Sequence, residues 1–389
     1  MMFLVRLLLV CAFFTHCYAS VPPASEMIQL CKKKHHHHKK HSTQEEVPAP
    51  PPSHPAPAEW ARQRIQNDLA YYQDKRLSLS KMETLFHQQV HNLLLVKFTI
   101  NNNQVVVEDI LKTFVVKTRS EDFAKAIREV CRTYTLPNMV FYISMEDSLI
   151  SSEYDGDSLP IFAMAKLHDD QRVILIPDFE ALVHSTSLLA QVEKGNTRPW
   201  DKKIEKAIWR GSTTDRVYPI TVDTFSQLAR SQAIIQSLLY PDLIDARFTQ
   251  LVQCSHHELV RQRYPYYFGS NLSIPEQLQY KYQLLIDGNS CSYSRAYWQL
   301  FSNSVILKQQ SPHIQWYYDA LQPYVHYIPL QEDMGDLFEQ IMWATQHDEE
   351  VRQIMCNAQQ FANNNLKQEH IYLYLYHLLK EYSKLQFVP

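Results

Sequence analysis

The 389-residue sequence predicts an α/β protein of two domains. Apolar runs of strand length alternate with stretches of helical periodicity through both halves of the chain. Residues 280–310 (YKYQLLIDGNSCSYSRAYWQLFSNSVILKQQ) read as strand, loop, helix and strand, a βαβ-like unit. The length suffices for two hydrophobic cores, and 45% hydrophobic with 20% charged residues is ordinary for a soluble globular chain.

Ahead of the folded part, Arg6, the apolar stretch 7–14 and Cys17-Tyr18-Ala19 before Ser20 have the form of a secretory signal peptide, residues 1–19. An uncleaved N-terminal anchor is the alternative. The five lysines between Lys32 and Lys40 then favour a cytoplasmic location for the chain that follows. Residues 20–58 form a low-complexity His/Lys- and Pro-rich linker: four consecutive histidines, His35 to His38, precede VPAPPPSHPAPA at 47–58. Such sequence cannot build a core and predicts a semi-extended tether. No nearby carboxylate or cysteine completes a defined metal site with the histidines, and a solvated linker is expected.

Folded sequence is expected from Glu59, where Trp60, Ile65, Leu69 and Tyr72 predict an amphipathic helix. Residues 93–96 (LLLV) and the β-branched 105–107 (VVV) predict strands around a polar turn at 101–104. Phe123, Ile127, Val130 and Tyr134 predict a helix opened by a Thr118/Glu121 capping box and closed at Leu136-Pro137. Residues 139–144 (MVFYIS) predict a buried strand. Asp147 falls just past its carboxyl end, where open α/β sheets collect ligands. Residues 160–163 (PIFA) continue the apolar pattern, and 173–177 (VILIP) predict a further buried strand ended by proline. Between them Asp155 and Asp157 make a D-x-D, a pattern able to hold a divalent ion on a diphosphate, but so polar a loop is expected to be a simple turn.

In the second half, residues 203–210 lead into Gly211-Ser212-Thr213-Thr214-Asp215-Arg216. Glycine permits close backbone approach and arginine supplies paired donors, as a phosphate cradle requires; a charged surface turn is the alternative. Phe225, Leu228, Ile235 and Leu239 predict a helix over 224–239, followed by a strand at 243–248 (LIDARF). In the 280–310 unit, the turn at 287–290 feeds a helix starting near Arg295, with Ser292 or Ser294 as its cap. Unpaired N–H groups and the positive end of the helix dipole suit an anion there, although any α/β domain contains such turns. Residues 324–329 (YVHYIP) predict a last strand. Helices then follow on Leu337, Ile341 and Met342, on Val351, Ile354, Met355 and Ala358, and on Ile371, Leu375, Leu378 and Tyr382.

Several classes are disfavoured. A net charge of -3 gives no argument for nucleic-acid binding. The GxxxxGK[ST] and GxGxxG loops are absent from the sequence, which argues against a P-loop NTPase and an ordinary dinucleotide dehydrogenase. His256-His257-Glu258 lacks the second histidine of HExxH. Past residue 19 the cysteines are Cys31, Cys131, Cys254, Cys291 and Cys356, an odd number without CxxC spacing, so neither a zinc site nor a dense disulfide framework is expected.

Four stretches, in order, carry a resemblance: 206–216 (KAIWRGSTTDR), 243–249 (LIDARFT), 280–295 (YKYQLLIDGNSCSYSR) and 324–329 (YVHYIP). Together they resemble the glycosyltransferase family 90 enzymes, which include lipopolysaccharide-modifying transferases, capsule-associated proteins and protein O-glucosyltransferases. The likeness extends over about 136–385. It implies a GT-B-like fold, two Rossmann-like domains with a cleft between them. Residues 59–195 would be the acceptor-side domain, 196–365 the UDP-sugar-binding domain and 366–389 a C-terminal helix packing back across both. It also implies a glycosyltransferase moving a hexose or pentose from a UDP-sugar to a hydroxyl of a glycan or protein. Asp147 falls at the family's catalytic aspartate, and Arg210, Gly211, Ser212, Arg216, Gly288, Ser292, Tyr293, Ser294 and Arg295 fall in the donor-binding stretches.

Two departures stand out. Glu146 and Ser148 flank Asp147 where the family often has arginine and an aromatic–proline pair, and the donor loop is one residue longer. Which of Ser292, Tyr293 and Ser294 faces the nucleotide therefore stays open. A single carboxylate base implies inversion, and arginines would take the place of a metal, so no metal and no cofactor besides the donor are expected. The competing expectation is a catalytically inactive nucleotide-sugar- or glycan-binding protein. The amino terminus implies export or a secretory-pathway lumen, or a tether at the cytoplasmic face with the membrane close by.

Overall fold

Two five-stranded sheets organise the chain in this computed structural model, which describes residues 55–75, 77–153 and 159–387. The expected signal peptide or anchor, the linker up to residue 54 and the Asp155/Asp157 pair lie outside the described residues.

The first lobe runs through α1 (Glu59–Ala70), β1 (Leu77–Ser78), α2 (Leu79–Gln89), β2 (Leu95–Asn101), β3 (Gln104–Glu108), α3 (Phe114–Thr133), β4 (Met139–Ser144), β5 (Ile161–Ala163), β6 (Lys166–Leu167), β7 (Val173–Leu175) and α4 (Phe179–Gly195). Its sheet has the order β3-β2-β4-β5-β7. The β2–β3 hairpin and the β2–β4 pair are antiparallel, while β4, β5 and β7 run parallel. Helix α3 begins one turn earlier than the Thr118/Glu121 expectation. Thr113 is its cap, accepting from the Val116 amide at 3.3 Å, and the Thr118 hydroxyl turns back to the Phe114 carbonyl inside the helix. Helix α4, which the apolar pattern did not announce, is capped by Asp178, whose Oδ1 accepts from the Ala181 amide at 3.0 Å.

The second lobe follows with β8 (Ile204–Ser212), α5 (Ala229–Leu239), β9 (Ile244–Gln250), α6 (His257–Arg263), α7 (Ile274–Gln277), β10 (Tyr280–Leu285), α8 (Tyr293–Leu300), β11 (Val305–Gln309), β12 (His313–Ile314) and β13 (Ile328–Leu330). Its sheet, β13-β11-β10-β8-β9, is parallel throughout. The last four residues of β10 are all buried, as expected of a strand covered on both faces. The strand expected at 324–329 is shorter. Tyr324 adopts φ 56° and its amide bonds the Tyr327 carbonyl, so the extended run starts only at Ile328. Helices α9 (Leu337–Gln346), α10 (Asp348–Asn365) and α11 (Gln368–Ser383) and the short β14 (Gln386–Phe387) end the described chain.

The seam between the lobes is broad. Strand β12 pairs with β6 in an antiparallel ribbon, and Arg64 of α1 meets Asp319 at 2.7 Å. Helix α8 links two strands of the second sheet, yet Ala296, Tyr297, Trp298 and Leu300 are buried in the core of the first lobe. Helix α10 serves both cores: Val351 and Ile354 belong to the second, Ala358 and Ala362 to the first. The crossing between cores thus falls in α10. Helix α11, expected to span both lobes, buries Ile371, Tyr374, Leu375, Leu378 and Leu379 in the first.

Candidate functional site

Asp147 stands past the end of β4, at the seam, with its side chain about one-third exposed (35%). Arg119 of α3 donates from Nη2 to Asp147 Oδ1 at 2.8 Å and from Nη1 to the Met145 carbonyl. The Arg119 guanidinium lies 5.3 Å from the centre of the Phe179 ring. From the other lobe, the loop after β10 reaches across. Asn289 Nδ2 donates to Asp147 Oδ2 at 2.8 Å, and the hydroxyls of Ser290 and Tyr293 both donate to the Asp147 carbonyl. A carboxylate from one lobe is therefore held directly against the loop after β10 of the other.

The second part of the site lies past the carboxyl ends of β8 and β10, adjacent parallel strands. Arg230 of α5 is buried beneath it. Its Nε donates to the Asp287 carbonyl at 2.9 Å, Nη1 to the Ser212 carbonyl at 2.9 Å and to Thr214 Oγ1 at 2.5 Å, and Nη2 to the Ile286 carbonyl at 3.3 Å. Gly288 is required here, since a Cβ would stand 2.7 Å from Thr214 Oγ1 and 2.9 Å from Arg230 Nη2. Burial lowers the Arg230 pKa to about 10 against the attraction of Asp215 and Asp287. Arg295 is pushed down to about 9 by burial and by the Arg230 guanidinium beside it. Both guanidiniums lie against the Trp209 ring, 5.3 and 5.9 Å from its centre, and their mutual repulsion is a cost that a bound anion would offset. Burial raises the pKa of Asp287 against the pull of Lys308, and its Oδ2 is buried without a hydrogen-bond partner.

The remaining candidates all have partners within the protein. Arg210 pairs with Asp245 at 2.9 Å, and Arg295 donates to the Arg210 carbonyl and to Gln277 Oε1, so both brace the end of β8. Gly211 is packed under Trp209, whose ring would meet a Cβ at 2.5 Å. Ser212 Oγ lies 3.4 Å from Thr214 Oγ1. Arg216, itself half-buried, reaches the exposed Glu332 at 2.7 Å in an ion pair. Ser292 does not cap α8; its hydroxyl donates to the Ile286 carbonyl at 2.6 Å. The helix N-terminus is also less open than expected, because the Ser294 amide donates to Glu180 Oε2 at 3.2 Å. An intramolecular carboxylate holds the position assigned to a ligand anion.

Arg119, Arg230, Asn289 and Glu180 were not singled out from the sequence. For Arg230 a signal existed: it shares a helix face with Ala233, Ile234 and Ser237, all buried, and a cation on such a face needs partners. Among the described residues, Glu83, His87 and Glu108 have ligand atoms within 4.8 Å of one another, but Glu83 already accepts from Lys97 at 2.8 Å and from Tyr142 at 3.3 Å.

Residues 57–388 match the sequence family described as Glycosyl transferase family 90. The chain belongs to this family. It is 30% identical over 338 residues to Protein O-glucosyltransferase 2 of Danio rerio, covering 83% of this chain and 62% of the relative. It is 31% identical over 304 residues to Protein O-glucosyltransferase 3 of Mus musculus, covering 75% and 56% respectively. The chain thus spans less than two-thirds of the length of either relative. Among solved structures, TarM is similar at a TM-score of 0.35 and 10% identity, over 60% of this chain and 54% of that one. This family 90 chain has the two α/β lobes of a GT-B-like fold, with one departure from two Rossmann-like sheets: the first sheet begins with the antiparallel β2–β3 hairpin.

Proposed function

We propose that this family 90 chain is a glycosyltransferase that moves a sugar from a UDP-sugar to a hydroxyl group by direct displacement, with Asp147 as base. The supporting observation is the Asp147–Asn289 contact at 2.8 Å, which brings a carboxylate against the same loop whose carbonyls Arg230 holds. In the proposed step the acceptor oxygen attacks C1 of the sugar and its proton passes to Asp147. The bond from C1 to the β-phosphate oxygen breaks and its electron pair leaves with UDP. Arg230, Arg295 and Arg216 would offset the charge that develops on the diphosphate. Inversion follows from single displacement. The relatives' names favour glucose as the sugar and a protein as the acceptor.

The site is expected to work without a metal, because cationic side chains occupy the charge-neutralising role. Incubation with UDP-glucose and protein or glycan acceptors should release UDP, and the release should survive EDTA. Loss of activity in EDTA with recovery on adding manganese would overturn the metal-free reading and point to Asp155 and Asp157. The secretory-pathway or exported location belongs to the same proposal. No helix among the described residues is long and apolar enough to cross a membrane. One observation favours a second reading, binding without turnover: both Asp147 carboxylate oxygens already accept hydrogen bonds, from Arg119 and Asn289. UDP affinity with no product in any acceptor mixture would establish that reading.

A further inference from the structure

The segments at the ends of β8 and β10 are separate in sequence. Arg230, on a third element, is what they share. Its guanidinium spends donors on the Ser212 carbonyl and the Thr214 hydroxyl of one loop and on the Ile286 and Asp287 carbonyls of the other. Arg230 is only 7% exposed, and its guanidinium lies 5.3 Å from the centre of the Trp209 ring, the ring over which Gly211 packs. Among the described residues no carboxylate is hydrogen-bonded to it. Asp215 acts from a distance, its own carboxylate accepting from the amides of Val217 and Ala229.

The amides of Thr213, Asp287 and Gly288 are bonded to the Gln250 carbonyl, Gln309 Oε1 and the Ser290 carbonyl, so what Arg230 contributes is the position of the two loops relative to each other. The missing side chain of Gly288 makes this possible, because a Cβ there would collide with both Thr214 and Arg230. Arg230 also places its charge beside Arg295 without touching solvent. We propose that Arg230 is a positioning residue that joins the 212–214 and 286–288 loops into one diphosphate cradle, so that affinity for the phosphates, and not for the nucleoside, depends on it. This rests on the UDP-sugar reading above and goes beyond it by assigning the cradle to a residue of α5.

The test is calorimetric binding of UDP, uridine and inorganic pyrophosphate to the wild-type chain and to Arg230→Lys, Thr214→Val and Gly288→Ala. Arg230→Lys keeps the charge but cannot serve four acceptors. Thr214→Val removes one acceptor and leaves the buried charge paired with carbonyls, so it stays informative if Arg230→Lys does not fold. Gly288→Ala displaces the guanidinium without altering it. The expected result is a loss of about 10- to 100-fold in UDP and pyrophosphate affinity for Arg230→Lys and Gly288→Ala, the range of a charged hydrogen-bond set. A smaller loss is expected for Thr214→Val, with uridine binding unchanged in every folded variant. Equal losses for UDP and uridine, or unchanged UDP affinity in folded Gly288→Ala and Thr214→Val, would overturn the assignment while leaving the donor reading intact. A wild-type chain that binds neither UDP nor pyrophosphate would overturn both.

Discussion

The two lobes equip the seam in opposite ways. The first contributes a carboxylate at the end of a strand, partly open to water and oriented by Arg119; the second contributes guanidiniums sunk below its loops and backbone groups above them. The difference follows from the sheets. In the second lobe all strands run parallel, so the ends of β8 and β10 lie side by side and two loops can share one buried cation. In the first lobe the antiparallel β2–β3 hairpin takes one side of the sheet. Asp147, oriented by Arg119, and Glu180 meet the other lobe as separate side chains there, with no buried cation shared between them among the described residues.

The largest expected effect breaks the contrast from the first lobe. Asp147→Asn keeps the shape and one of the two side-chain acceptors but removes the proposed base, so turnover should fall by about 10²- to 10⁴-fold. UDP affinity and melting temperature should stay near wild type. Near-normal turnover per folded molecule would sink the proposed mechanism and leave Asp147 as an inter-lobe contact. Next comes Arg295→Ala, on the other side. A charged hydrogen bond contributes about 1.5–3 kcal/mol, or about 10- to 150-fold in UDP affinity. Calorimetry showing wild-type affinity in the folded variant would reduce Arg295 to a brace for the Arg210 carbonyl.

The smallest effect concerns pH. Asp178, buried under the seam at the start of α4, is raised to about 7 by burial and by the neighbouring Glu180. Because the folded value lies above the unfolded one near 3.9, the folded state holds the proton more tightly. Stability is therefore lost as pH rises from about 4 to about 7 and stays low above that. Asp178→Asn keeps a capping group without the charge, and should stabilise by about 1–4 kcal/mol at pH 8 while being near neutral at pH 4. Denaturant melts giving the same difference at both pH values would refute a titrating Asp178.

How much of this was legible depended on whether the signal was local. β4, β10 and β11 announce themselves as apolar runs, and Asp147 follows from its place after such a run. Tyr324 and Val325 look equally strand-like, but a positive φ turns the chain there. The site was harder to read because its partners are far apart in sequence: Asp147 meets Asn289 and Arg230 meets Ser212, pairings that only the packed sheets create. Glu180 shows the same limit from the other side. Helix α8 was legible as an anion site in isolation, yet the carboxylate that fills its first turn comes from another helix.

Helix α10, with Val351 in one core and Ala358 in the other, bears on how the chain is made. The core of the first lobe is closed by Ala362, Ile371, Leu375 and Leu379, residues that leave the ribosome after the second lobe. Domains commonly fold in the order of synthesis, the amino-terminal one first. Here the amino-terminal lobe must wait, its apolar face uncovered, until the whole second lobe and its final helices have been translated. An amino-terminal half expressed without these helices would present that face to the solvent.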